Sequence, residues 1–247
     1  MKKKQHTPII VGHGGALGLA PENGLEGMRL AIKYGVDQIE VDLRLTADGV
    51  VVLRHDDTIL DERGKIQSIS LMSYKELKAL EPDLLTLDAA ITFVKRRARL
   101  MLEIKDHSAT AATIDMVDKF LRKGWKPADF MIASFQYQPL ATCKNDLPGV
   151  DLVVLDDWSG VRATYRARKL GTPYLSMNQA YLWPGFIRSI ARHYKLFCYP
   201  PRYTLPILRN RQPNNWGKYG LYGIITDYPD RYASAIVKTN ESNTPSR

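Results

Sequence analysis

The 247-residue sequence predicts a single (β/α)₈ (TIM) barrel over residues 1–247. Eight apolar segments have the length of buried strands, helix-like segments alternate with them, and the chain has room for eight such units. An open doubly wound sheet is the alternative, although no Gly-x-Gly-x-x-Gly motif follows the first apolar segment. We expect the strands to begin at Pro8, Gln38, Arg99, Phe130, Val150, Pro173, Leu196 and Leu221.

The first β–α unit begins with the apolar run from Pro8 to Val11, which ends in Gly12, His13 and further glycines. This pattern predicts a buried strand whose carboxyl end opens into a flexible loop. A helix is expected from Leu25 to Tyr34, because Gly35 follows it as a typical helix terminator.

The second strand, which begins at Gln38, alternates Ile39, Val41 and Leu43 with Glu40, Asp42 and Arg44. Such alternation places the three charged side chains on one strand face. The Asp48-Gly49 pair then predicts a turn into a second apolar run, Val50 to Leu53, which delivers His55. The two acids could form a metal and proton-transfer site with the histidine, or simply occupy a solvated strand face.

The remaining chain continues the alternation after a polar segment. Residues 57–85 are expected to form a short, irregular insertion with one helix near Ser73 to Leu80. Residues 204–218 are expected to contain a short helix and a loop, and residues 239–247 a frayed tail. The expected barrel helices are Asp88 to Arg97, Ala109 to Lys123, Gln138 to Asn145, Gly160 to Leu170, Pro184 to Tyr194 and Arg231 to Lys238.

Composition restricts the classes of partner. The formal net charge of +9 favours anionic partners, although solvated helix faces explain much of the basic excess. The two cysteines predict no disulfide framework.

No segment has the length of a signal peptide core or a membrane span, so a cytoplasmic protein is expected. Nothing resembles a nucleic-acid-binding motif, and nothing indicates an oligomeric state.

Chemically useful residues stand at the predicted carboxyl ends of the strands, which is where the function of such barrels resides. Because Glu103 and Lys105 are two residues apart on the third strand, both should point into the barrel mouth beside Glu40 and Asp42. Three converging carboxylates could not all remain ionised unaided, since a like-charge pair at 4 Å costs about 4 kcal/mol at an effective dielectric constant near 20. A divalent cation, Mg²⁺ or Ca²⁺, resolves this conflict.

Each of these residues also has an ordinary structural explanation. A Glu-x-Lys pair on a strand is commonly a surface ion pair, and a lone histidine near a loop is commonly a polar filler. Ser134 is expected to cap or to hydrogen-bond and not to act as a nucleophile, because no base is evident beside it. Only the joint placement of the residues favours a catalytic site.

The ordered set of motifs resembles the glycerophosphodiester phosphodiesterase family from Ile9 to about Tyr232. The matching pieces are His13, Pro21-Glu22-Asn23, Ile39-Glu40-Val41-Asp42, Leu45-Thr46 through Asp48-Gly49, His55-Asp56, Leu102-Glu103-Ile104-Lys105, Ser134-Phe135 and Thr226-Asp227-Tyr228-Pro229-Asp230.

The resemblance implies a role for each matching residue. It implies that Glu40, Asp42 and Glu103 bind the metal and that His13 and His55 are the general base and general acid pair. It further implies that Lys105 contacts the phosphate, that Glu22 supports the site, and that residues 57–85 are the family's insertion in a short form.

Two positions depart from the family pattern. Gly14 stands where the family usually has an arginine, so its backbone N–H and that of Gly15 could bind the anion instead, and Arg44 is another candidate substitute. Tyr199-Pro200-Pro201-Arg202 replaces a tryptophan-containing segment that shapes the alcohol end of the pocket in the family.

The expected activity is metal-dependent hydrolysis of a small-molecule glycerophosphodiester to glycerol 3-phosphate and an alcohol. A related lipid-directed enzyme, similar to a lysophospholipase D, is the first alternative, because Trp158, Trp183 and Trp216 together with the basic surface would suit peripheral contact with an anionic membrane. The second alternative is a non-catalytic barrel that binds a phosphorylated ligand. Binding of nucleic acid is not expected.

Overall fold

The computed structural model describes residues 7–200 and 213–232. Eight parallel strands form its barrel: β1 (Ile9–Gly12), β2 (Gln38–Leu45), β6 (Arg99–Ile104), β7 (Phe130–Ser134), β8 (Asp151–Asp156), β9 (Tyr174–Asn178), β10 (Lys195–Tyr199) and β11 (Gly223–Thr226). Pairing between β1 and β2 closes the sheet, so the open doubly wound alternative is excluded. All eight predicted strands are confirmed to within two residues at their starts.

Helices cover the outside of the barrel. They are α1 (Leu25–Lys33), α3 (Leu87–Val94), α4 (Thr110–Arg122), α5 (Tyr137–Asp146), α6 (Gly160–Leu170) and α7 (Pro184–Ile190). Two of them end three or more residues earlier than predicted. The helix expected to reach Arg97 ends at Val94, because Lys95 and Arg96 take left-handed backbone conformations with φ of 48° and 61°. The helix expected to reach Tyr194 ends at Ile190.

The segment after β2 is more ordered than predicted. Strand β3 (Val51–Leu53) pairs antiparallel with β2, which confirms the turn at Asp48-Gly49. Residues 57–85 are not irregular, since β4 (Thr58–Leu60) and β5 (Ile66–Ser68) form a separate hairpin. The expected short helix is α2 (Tyr74–Leu80), and Ser73 and Glu76 form a capping box at its start.

Two apolar layers result from strand alternation. Ile39, Val41 and Leu43 pack outward against the helices, whereas a smaller cluster that includes Met101, Met131 and Phe197 fills the barrel interior. Because Glu40 and Asp42 alternate with the outward residues, they point to the interior face at the carboxyl end. They are 3% and 1% exposed, so a solvated strand face is excluded.

Several predicted segments lie partly or wholly outside the residues that the structure describes. The helix Arg231 to Lys238 lies almost wholly outside them, as do the tail 239–247 and most of residues 204–218, of which Pro213–Tyr219 forms a 3₁₀ helix. Trp216 is half-buried against the main core and is not the exposed aromatic that was expected. Cys143 and Cys198 are buried free thiols. Within the described ranges, no helix is both long and apolar enough to span a bilayer.

Candidate active site

The pairing of the first and last strands brings His13 and Asp227 together. Parallel register aligns Gly12 with Thr226, so the next residue on each strand meets its counterpart at the carboxyl end. His13 Nδ1 lies 2.6 Å from Asp227 Oδ1. Since a carboxylate only accepts hydrogen bonds, Nδ1 carries the proton and donates it to Asp227, which leaves Nε2 for other contacts.

The pairing of β2 with β6 brings the three predicted metal ligands together. Asp42 is aligned with Glu103, and Glu40 lies two residues earlier on the same face. One carboxylate oxygen from each of Glu40, Asp42 and Glu103 lies within 4.8 Å of the other two. All three side chains are buried, so their charges are poorly screened by solvent.

Polar contacts orient two of these carboxylates. The Gly14 N–H donates to Glu40 Oε2 at 3.0 Å. Asn23 forms two hydrogen bonds with Asp42. Its Nδ2 donates to Asp42 Oδ2 at 2.9 Å, and its Oδ1 accepts from the Asp42 N–H at 3.0 Å. Glu40 Oε1 is buried and has no hydrogen-bond partner within the described part of the chain, which suits an atom that would bind a cation.

Lys105 lies among the same carboxylates. Its Nζ is 2.7 Å from Glu103 Oε1 and 3.0 Å from Asp42 Oδ1. Burial opposes the charged form of Lys105, but the two carboxylates outweigh burial and raise its pKa. The ammonium is therefore a fixed positive charge at the barrel mouth.

Burial and mutual repulsion set the ionisation of the acids. Burial and the charge of Asp42 raise the pKa of Glu40 well above its ordinary range. Burial and the charge of Asp42 also raise the pKa of Glu103, against the opposing charge and hydrogen bond of Lys105. Burial acts on Asp42 in the same direction, but the Lys105 ammonium and the Asn23 amide hold its pKa below the usual value.

For His13, burial and the neighbouring negative charges shift the pKa in opposite directions. Burial by itself lowers its pKa, but the hydrogen bond to Asp227 and the negative charge of Glu40 prevail and raise the pKa to about 9. His13 is therefore an imidazolium at neutral pH when only protein groups surround it.

After the turn between β2 and β3, strand β3 leads the chain back to the site, and His55 lies just beyond its end. Its Nδ1 lies 2.8 Å from Asp56 Oδ1. Arg44 holds the same residue through the backbone, because its Nε and Nη2 donate to the His55 carbonyl at 3.2 and 2.8 Å. Arg44 Nη1 also donates to Asp106 at 3.1 Å. Arg44 thus contacts the His55 loop, and its expected use in place of a phosphate-binding arginine stays a prediction.

A cavity of about 290 Å³ opens at the carboxyl ends of the strands. One half is polar and contains both histidines. The other half is largely aromatic and lies over strands β7 to β10. Its lining includes His13, Glu40, His55, Glu103, Lys105, Phe135, Asp157, Trp158, Asn178, Tyr181 and Tyr199.

This geometry bears on three sequence-based expectations. The Gly14 and Gly15 N–H groups donate to Glu40 side-chain and backbone oxygens, and their expected use for an anion stays a prediction. Glu22 lines a neighbouring cleft with Asn23 and His55 and does not line the main cavity. Ser134 hydrogen-bonds to the Ile104 carbonyl and accepts from the Gln136 N–H, as expected of a structural serine.

Sequence reasoning missed Asn23 and Asp227 as site residues, although both stand inside quoted motifs. Asn23 has a left-handed backbone with φ of 59°, which asparagine tolerates better than most residues. Its place beside Glu22 was the available signal. The position of Asp227 at the end of the eighth strand was its signal, but no role could be assigned because its partner lies at the other end of the chain.

Comparison with known proteins agrees with this geometry. The sequence model of the glycerophosphoryl diester phosphodiesterase family matches residues 13–231. A glycerophosphodiester phosphodiesterase of Caldanaerobacter subterraneus is 24% identical over 254 aligned positions, gaps included, which cover 93% of this chain and 98% of that protein.

Two solved structures have the same fold. The glycerophosphodiester phosphodiesterase of Thermotoga maritima superimposes with a TM-score of 0.73 at 25% identity, over 94% of this chain and all of that one. A phosphodiesterase of Oleispira antarctica, in complex with the product sn-glycerol-3-phosphate, superimposes with a TM-score of 0.75 at 24% identity, over 94% and 97% of the two chains.

Proposed function

The chain belongs to the glycerophosphoryl diester phosphodiesterase family, and on that premise we propose that it hydrolyses a glycerophosphodiester to glycerol 3-phosphate and an alcohol by acid–base catalysis between two histidines. The observation that supports this proposal most directly is the single cavity that contains His13, His55, Glu40, Glu103 and Lys105.

Glu40, Asp42 and Glu103 are proposed to hold a divalent cation, Mg²⁺ or Ca²⁺. Their grouped oxygens, the unpartnered Glu40 Oε1 and the raised pKa values of two of the acids all fit a hard cation with oxygen ligands. When bound, such a cation supplies positive charge that polarises phosphoryl oxygens and positions a hydroxyl nucleophile. Lys105 is proposed to add its fixed charge to the phosphate.

His13 is proposed to be the general acid and His55 the general base. Asp227 keeps the proton on His13 Nδ1 and favours the imidazolium, so Nε2–H can protonate the departing alkoxide. His55 is held by Asp56 at Nδ1 and by Arg44 at its carbonyl, which leaves Nε2 to take a proton from the nucleophile. The nucleophile is water or the neighbouring hydroxyl of the substrate, and substrates lacking that hydroxyl distinguish the two.

A panel of glycerophosphodiesters, assayed with and without a chelator, tests the proposal. We expect release of glycerol 3-phosphate that stops on chelation and returns on addition of Mg²⁺ or Ca²⁺. The ion that restores turnover at the lower concentration identifies the preferred cation. Binding of the diesters without turnover would contradict the proposal and favour a non-catalytic barrel.

A lipid-directed phosphodiesterase is the second candidate, because large aromatic side chains are exposed beside the cavity mouth. Trp158 lines the cavity and is 69% exposed, and Trp183, in the next loop along the chain, is 58% exposed. With the net charge of +9, these residues suit peripheral contact with an anionic membrane. Faster hydrolysis of lysophosphatidylcholine than of glycerophosphocholine, together with binding to phosphatidylglycerol vesicles that Trp183→Ala weakens, would support this candidate.

A further inference from the structure

The aromatic half of the cavity is chemically distinct from the half that carries the histidines. It is formed by residues at or just after the carboxyl ends of strands β7, β8, β9 and β10, namely Phe135, Asp157, Trp158, Tyr181 and Tyr199. A diester whose phosphate lies near Lys105 would place one of its two ester arms against this wall. The chemistry of the wall therefore bears on the identity of that arm.

Two pairs of rings build the wall. Phe135 and Tyr199 meet edge to face, with ring centroids 6.2 Å apart and planes at 89°. Trp158 and Tyr181 lie 5.4 Å apart at a tilt of 54°. Exposure of such large rings at a cavity mouth costs free energy unless a ligand or partner covers them.

A carboxylate lies between the two pairs. Asp157 directly precedes Trp158, and its Oδ1 accepts a 2.6 Å hydrogen bond from the Tyr199 hydroxyl. Burial and this bond raise the pKa of Tyr199, so the phenol stays neutral and adds no negative charge of its own. No cationic side chain is among the described residues that line this half of the cavity.

The loop that carries Asp157 and Trp158 is held rigidly by Asp156. Asp156 is buried, and its Oδ1 accepts from the Trp158 and Ser159 N–H groups at 3.0 and 2.9 Å. Arg162 binds both oxygens of Asp156, with Nε at 2.6 Å and Nη2 at 2.9 Å. The Arg162 guanidinium is thereby engaged by Asp156, and the backbone that carries Trp158 is fixed before a ligand arrives.

We propose that this wall is a cation-recognition subsite, which binds the alcohol of a glycerophosphodiester when that alcohol carries an ammonium group, above all a quaternary ammonium of the choline type. The inference rests on the proposed function. Faces of tryptophan and tyrosine attract organic cations, and an adjacent carboxylate supplies the counter-charge. An acyl chain gains nothing from Asp157, and an anionic alcohol would be repelled by it.

Two esters of nearly identical shape test the proposal. One is glycerophosphocholine, and the other is the 3,3-dimethylbutyl ester of glycerol 3-phosphate, in which carbon replaces the quaternary nitrogen. We expect the kcat/KM of the wild-type protein to favour the choline ester by about tenfold or more. Asp157→Asn and Trp158→Ala should each reduce this ratio towards one. Tyr165→Ala, which removes an exposed aromatic ring outside the cavity lining, is the matched control and should leave the ratio unchanged.

A measurement without chemistry separates this inference from the proposed function. Tryptophan fluorescence is titrated with choline chloride, with sodium chloride as the ionic-strength control, in the wild type and in Asp157→Asn. Equal hydrolysis of the two esters, or an equal loss on both in the variants, would overturn the cation subsite while leaving the phosphodiesterase intact. Choline binding that Asp157→Asn abolishes, without hydrolysis of any diester, would keep the subsite and reject the proposed function.

Discussion

His13 Nδ1 lies 2.6 Å from Asp227 Oδ1, although 214 residues separate the two in the chain. The closure of the barrel between its first and last strands creates this contact, so the fold itself sets the charge of the histidine. A carboxylate held against Nδ1 fixes the tautomer and favours the imidazolium.

Replacing Asp227 with Asn should therefore lower kcat by about 10²-fold, as expected when a positioned histidine loses its orienting charge. The pKa of His13 should fall with it, so the alkaline limb of the pH–rate profile should move to lower pH. Asp230→Asn, at an exposed position three residues on, is the matched control. An unchanged alkaline limb would show that Asp227 does not act through His13.

Removal of either histidine should abolish most of the turnover. His13→Ala and His55→Ala should each lower kcat by roughly 10²–10⁴, the usual contribution of a general acid or base. KM should change much less, because cation and phosphate contacts remain. His107→Ala, at an exposed position on the same end of the barrel, should behave as wild type. Near-normal kcat in both variants would reject the assignment of the acid–base pair.

The strand pattern could be predicted from the sequence, whereas the pairings across the barrel could not. Alternation in Gln38–Leu45 and the i, i+2 spacing of Glu103 and Lys105 are local properties, and they placed four site residues correctly on the interior face. The contact between His13 and Asp227 depends on closure of the barrel, and the hydrogen bonds between Asn23 and Asp42 depend on a loop. Local periodicity encodes neither. Left-handed backbone conformations could not be predicted either, since nothing in the apolar pattern indicates the turn at Lys95.

Gly14, which follows His13, is a second feature that the sequence alone could not explain. Its φ is +50°, and a Cβ placed there would lie 2.8 Å from Glu22 Cγ and 3.4 Å from the Asn23 nitrogen. An arginine at this position would thus strain the loop that orients both Glu40 and Asp42. The sequence showed the departure from the family pattern, but only the structure gives its local reason.

Cation binding should release protons, because burial raises the pKa of Glu40 in the metal-free site and the charge of a bound cation lowers it again. We expect release of about one proton per cation at pH 6.5 and an affinity that rises with pH. Calorimetric titrations with Mg²⁺ and Ca²⁺ in two buffers of different ionisation enthalpy measure the proton count. Glu40→Gln should remove the release and weaken binding roughly tenfold or more, since one charged ligand is lost. A buffer-independent enthalpy in the wild type would contradict this prediction.

Stability of the chelated protein should fall as the pH rises from 6 to 9. The pKa of His13 is raised from 6.5 to about 9 on folding, so its stabilising effect is complete below pH 6.5 and is lost as the pH passes through 9. The loss is about 3 kcal/mol at most, from 1.36 kcal/mol per pKa unit. Glu40 and Glu103 act in the same direction, because their pKa values are also raised. Urea unfolding at both pH values should show a smaller decline for His13→Gln, and an equal decline would exclude His13 as a source.

Arg44 should act on catalysis through His55 alone. Its guanidinium donates twice to the His55 carbonyl and once to Asp106, so it fixes the loop that presents the imidazole. Arg44→Ala should lower kcat by about 10- to 100-fold with little change in KM, because a displaced base loses its alignment with the nucleophile. Arg44→Lys should not restore activity, since an ammonium cannot reproduce the planar fork. Arg63→Ala, exposed in the β4–β5 turn, is the control. The decisive measurement is a double-mutant cycle: in a His55→Ala background, Arg44→Ala should cost nothing further, and a full additional loss there would mean that Arg44 acts elsewhere in the site.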